Sequence, residues 1–131
     1  MAKLYFKYGA MGSSKTATAL ITKYNYEERG MRVWLIKPAA DRRDGEFTLR
    51  SRIGLTAQCE AIGPETDIRT LYHARQKVDV IIVDECQFMT MAQIDQLREL
   101  VDRVLRGEIP DAKTQAAALR VWCMLKEGKL P

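Results

Sequence analysis

Four β-branched residues in succession, Val80-Ile81-Ile82-Val83, constrain this chain more than any other stretch. Such residues resist helix, and a run with no polar side chain leaves neither strand face for water. The segment from Val78 therefore predicts a central parallel strand covered on both sides, the kind found in α/β proteins. The rest of the chain falls into place around it. Lys3–Tyr8 alternates as a strand, Gly9–Ser14 is a loop of small residues, and Ala17, Leu20, Ile21 and Tyr24 recur at helical spacing. Gly30 is placed to cap that helix, Val33–Ile36 forms the next strand, and Pro38 closes it. Ala39–Leu55 reads as a long polar surface loop, Thr56–Ile62 as holding a short strand, and Asp67–Lys77 as a helix capped by Thr66 or Asp67. Ile94, Leu97, Val101 and Val104 mark another helix, and a last one is expected from Asp111 through Leu125. The order predicts an α/β fold: a doubly wound, mainly parallel sheet flanked by helices.

With 131 residues the chain suits one hydrophobic core. The join near Gly107 is the one candidate boundary, dividing a nucleotide-binding unit over 1–107 from a helical tail over 108–131, which can also belong to the same domain. Hydrophobic residues at 47% and charged residues at 29% fit a soluble globular protein. No apolar run approaches the roughly 20 residues of a spanning helix. The start moves straight into strand alternation without a signal-peptide pattern, so a cytoplasmic protein is expected. The 21 basic and 17 acidic residues leave a charge of +4, and no basic run interleaved with aromatics marks a nucleic-acid face. Cys59, Cys86 and Cys123 are too far apart for a metal clamp and read as reduced, buried thiols. His73, the single histidine, offers no multi-histidine metal site.

Gly9-Ala10-Met11-Gly12-Ser13-Ser14-Lys15-Thr16 follows a strand and opens a helix, the setting a phosphate-binding loop requires. Backbone N–H groups in such a loop converge on an anion, and the helix adds the positive end of its dipole. Lys15 would meet the β- and γ-phosphates of ATP, and Thr16 would place a hydroxyl on Mg²⁺. Ser14 stands where the general pattern has Gly. The apolar strand then ends in Asp84-Glu85-Cys86-Gln87-Phe88. Parallel strands bring their carboxyl ends together, so Asp84 should emerge beside the loop and hold Mg²⁺. Glu85 can accept a proton from an attacking hydroxyl. Together the two motifs predict nucleotide binding in a P-loop NTPase-like fold.

These motifs, with Lys3-Leu4-Tyr5-Phe6, Lys37-Pro38-Ala39, Asp41-Arg42-Arg43 and Ser51-Arg52-Ile53-Gly54-Leu55, resemble the type II (cytosolic) thymidine kinases over roughly Met1–Asp102. The resemblance implies transfer of the γ-phosphate of ATP to the 5′-hydroxyl of thymidine, giving thymidine monophosphate for DNA synthesis. It implies Gly9–Thr16 and Asp84, Glu85, Cys86 and Gln87 on the ATP side, Asp84 with Thr16 on Mg²⁺, and Glu85 as the catalytic proton acceptor. It also implies Met11 and Phe88 at the thymine, Asp41 and Arg43 near the phosphates, and a homo-oligomer, tetrameric in the family.

Gly12, Ser14 and Cys86 depart from the family's usual residues. After Val104 the family continues with an apolar strand, a lasso loop over thymidine and zinc-binding cysteines. Arg106–Pro131 reads as having none of these, so no zinc is expected here and impaired thymidine turnover is. Two rival readings are a nonenzymatic nucleotide-binding module and a helicase-like ATPase fragment.

Overall fold

A computed structural model describes residues 3–9, 15–39, 48–50, 54–75, 78–106 and 119–126. The strands are β1 (Lys3–Gly9), β2 (Val33–Pro38), β3 (Thr48–Arg50), β4 (Thr56–Gln58), β5 (Glu60–Ile62), β6 (Val80–Val83) and β7 (Arg120–Lys126). The helices are α1 (Lys15–Glu28), α2 (Ile68–Ala74) and α3 (Met91–Leu105), with a single 3₁₀ turn at Cys86–Phe88. Five strands form one sheet in the order β1-β7-β6-β2-β5, and every pairing within it is parallel. The expected α/β architecture is therefore present.

Alternation along the strands divides the core between the two faces. Ile36, Ile81, Val83, Val121 and Cys123 pack on one side with Leu97, Leu100 and Val104 of α3 and Ile68 and Tyr72 of α2. Leu35, Val80, Ile82 and Met124 pack on the other with Ala19 and Leu20 of α1. Each of the four residues of β6 is buried, as its all-apolar sequence requires. Gly30, after α1, has φ +79° and donates its N–H to Glu27 O at 3.0 Å, so the left-handed backbone ends the helix where a Cβ would be strained. No helix among the described residues is long and apolar enough to cross a membrane.

Four expectations change. The segment Asp111–Leu125, expected as helix, overlaps β7, which lies between β1 and β6; residues 107–118 lie outside the described ones. Val121, Cys123 and Met124 are buried, and a run of apolar residues with no single helical face is the mark of a strand covered on both sides. The apolar strand expected to be missing after Val104 is thus present. The polar stretch Ala39–Leu55 contains β3, which pairs antiparallel with β4 as a separate two-stranded ribbon. Three-residue strands are too short to display a period. Thr56–Ile62 holds two strands, with β4 in the ribbon and β5 in the main sheet.

Candidate active site

β1, β2 and β6 run parallel and end at Gly9, Pro38 and Val83, so their carboxyl ends lie along one edge of the sheet. In open α/β sheets that edge is where ligands bind. The chain leaves β1 at Gly9 and returns at Lys15 as the first residue of α1. Ala10, Met11, Gly12, Ser13 and Ser14, expected on the phosphates, lie outside the described residues, as do Asp41 and Arg43.

Thr16, in the first turn of α1, donates its Oγ1 hydroxyl to Oδ2 of Asp84 at 2.9 Å. The two residues are 68 positions apart, so this bond brings the start of α1 onto the end of β6. Asp84 N–H donates to Ile36 O at 2.9 Å, continuing the ladder between β2 and β6 past the last residue of the strand. The carboxylate is fully buried, and the sheet fixes its backbone. A hydroxyl and a carboxylate facing each other are hard oxygen donors, the chemistry of a Mg²⁺ site that takes its remaining ligands from water and phosphate. The described residues hold no group of three or more His, Cys, Asp and Glu able to cage a metal by themselves.

Glu85 follows with φ 53° and ψ 45°, the only non-glycine residue with positive φ among those described. A left-handed residue with a long side chain costs about 1–2 kcal/mol, and such strain gathers at functional sites. The twist sends Glu85 elsewhere than Asp84, although the two are chain neighbours. Its Oε2 accepts from Nε2 of Gln87, and only 6% of the residue is exposed. The 3₁₀ turn then closes through Phe88 N–H to Glu85 O and Met89 N–H to Cys86 O. Phe88 emerges 53% exposed, an aromatic face beside the acidic pair.

Cys86 does the opposite. Its side chain is buried in the α3-side core, and a hydrogen bond with Cys123, reinforced by burial, pushes the thiol far up from its ordinary range. It is an inert core group, so any contact it makes with a nucleotide comes from its backbone. None of the three cysteines is in a disulfide, and all are buried.

Lys37 was missed as a site residue. It is the penultimate residue of β2, is 1% exposed, and donates Nζ to Thr48 O at 2.9 Å. The signal was there: Lys37 follows Val33-Trp34-Leu35-Ile36 just as Asp84 follows Val80-Ile81-Ile82-Val83.

The thymidine kinase family model matches residues 2–107. A thymidine kinase of Xanthomonas campestris pv. campestris is 43% identical over 108 residues, covering 79% of this chain and 52% of that protein. One from Photobacterium profundum is 40% identical over 107 residues (79% and 56%), and one from Enterobacteria phage T4 is 41% identical over 105 (78% and 54%). The chain spans about half the length of these curated relatives.

Proposed function

This chain belongs to the thymidine kinase family, and from that premise we propose that it transfers the γ-phosphoryl group of ATP to the 5′-hydroxyl of thymidine. The observation that carries the reading is the Thr16–Asp84 hydrogen bond, which joins the phosphate-loop helix to the acidic strand end. Thr16 and Asp84 would hold Mg²⁺, which when bound supplies charge neutralisation on the triphosphate. Lys15, at the start of α1, and the loop from Gly9 through Ala10, Met11, Gly12, Ser13 and Ser14 supply the phosphate contacts. Glu85 accepts the proton of the 5′-hydroxyl, a poor nucleophile at neutral pH, as the phosphoryl group moves. Gln87 donates to the Glu85 carboxylate and so aims it. Phe88 presents its exposed ring to the flat pyrimidine, and the family likeness adds Met11 as a second thymine contact. Asp41 and Arg43 belong on the phosphate side of the same reading. Three cysteines without a disulfide suit the reducing cytoplasm, and self-association follows from the family likeness.

Incubation with ATP, Mg²⁺ and each nucleoside in turn is the direct test, with thymidine monophosphate as the expected product. Glu85→Gln should then lower kcat by about 10²–10⁴-fold while ATP affinity stays within a factor of about two, since only proton acceptance is removed. Undiminished turnover in that variant sinks the assignment of the base. ATP binding with no product would leave a binding module, and hydrolysis stimulated by single-stranded DNA would favour a motor.

A further inference from the structure

Among the described residues the buried polar or charged side chains are Lys37, Asp84, Glu85 and Gln93. Gln93 is accounted for by the start of α3, where it bonds the Thr90 backbone and the carbonyls of Gly63 and Thr66. The other three gather at one sheet edge. Ile36 is in register with Val83, and the ladder continues through Asp84 N–H to Ile36 O, so Lys37 and Asp84 are neighbours across the next step. Ile36 and Val83 face the α3 side. By alternation Lys37 and Asp84 face the α1 side, where Thr16 meets the carboxylate. A buried lysine and the buried Asp84 carboxylate therefore share one face of the sheet edge, where a divalent cation would enter.

We infer that Lys37 acts as an electrostatic gate on the acidic strand end, repelling a bare divalent cation so that the metal enters only with the negative charge of a triphosphate. The inference rests on the metal and nucleotide reading above and adds a selection that reading does not contain. Like charges a few ångströms apart interact strongly where water is excluded, whereas a metal–triphosphate complex carries net negative charge and is attracted. The bond from Nζ to Thr48 O ties the ammonium to β3, so the charge is held in place. Lys37 is thus a positioning residue for binding order, without a role in the chemical step.

Mn²⁺ binding, read by the loss of the free-ion paramagnetic signal, tests this with and without ATP. Lys37→Met should bind Mn²⁺ alone about tenfold or more tightly than the parent chain, and Lys37→Arg should match the parent. Lys37→Gln keeps an N–H donor for Thr48 O and should behave as Lys37→Met does, which guards against a folding failure in the methionine variant. The gain should vanish when Asp84→Asn is added, placing the ion at that carboxylate. Unchanged or weaker Mn²⁺ binding in both neutral variants overturns the gate, as does a gain that survives Asp84→Asn. Failure of the parent to bind Mn²⁺ with ATP instead overturns the underlying nucleotide reading, and the metal-alone arm still judges Lys37.

Discussion

At Glu85 the backbone and the chemistry make opposite demands. The φ of 53° favours glycine, yet the proposed reaction needs a carboxylate there. Glu85→Gly should therefore raise stability by about 1 kcal/mol through relief of the left-handed strain, while turnover is lost. Urea denaturation of parent and variant measures it, and a lower midpoint in the glycine variant refutes the strain argument. Thr16→Val makes the complementary point. Valine keeps the shape but removes the donor to Asp84 Oδ2, and a donor lost to a buried carboxylate costs about 1–3 kcal/mol. Metal–nucleotide affinity should fall with stability in that variant, whereas Glu85→Gln should leave both nearly unchanged. The residue types at these positions were legible from the chain: a hydroxyl after Lys15, and two carboxylates after an apolar strand. Their meeting was a topological expectation, and the strain at Glu85 could not be read, because backbone dihedrals leave no mark when the residue is not glycine or asparagine.

Helix ends carry local signals: Gly30 ends α1 and Asp67, one of the two residues expected there, caps α2, whereas the cap of α3 was not read. Thr90 accepts from Gln93 N–H at 3.1 Å while Gln93 Oε1 accepts from Thr90 N–H at 3.1 Å, a reciprocal box that opens α3 directly after the acidic turn. Thr90→Ala should cost about 1 kcal/mol by denaturation. It should also loosen Phe88, two residues upstream, and so raise KM for thymidine more than for ATP. Asp67 caps α2 through the N–H groups of Arg69 and Thr70. The Arg69 side chain, bonded to the Asp67 carboxylate, is the main cause that lowers its pKa from 3.8 to about 2. A depressed acid stabilises the fold above its unfolded value and loses that contribution as pH falls, so stability should decline between pH 3.8 and about 2. In Asp67→Asn, which retains a capping oxygen, that part of the decline should disappear from denaturation midpoints measured across the same window. β7 was misread for the converse reason. Its apolar residues lack both periods because a core cluster covers each of its faces, and it is held in place by pairing with a strand on each side. Those partners, β1 and β6, lie far away in sequence.

The position of β7 makes the molecule depend on its last described segment. Without it, among the described strands β1 loses its only partner in the sheet and β6 loses one of its two, since the order is β1-β7-β6-β2-β5. β1 delivers Gly9 and the phosphate loop, and β6 delivers Asp84 and Glu85. The strand inserted between them sets their spacing, although it supplies none of the residues assigned to the reaction. Removing it also takes away the buried side chains of Leu119, Val121 and Met124, each at most 2% exposed in the fold, and uncovers the core they pack against. At about 1.5–3 kcal/mol for each buried side chain, the loss is comparable to the whole net stability of a typical domain, about 5–15 kcal/mol. We therefore propose that residues 1–107 do not fold as an autonomous unit, and that the 108–131 segment belongs to the same cooperative structure. A chain ending at residue 118 should show no cooperative thermal transition and no ATP binding. A single Val121→Asp substitution, placing an unpaired charge in the middle of the sheet, should produce the same loss. Cooperative melting of the shortened chain at a temperature near that of the parent would mean that β1 and β6 reach their places without β7, and that the tail is a dispensable addition.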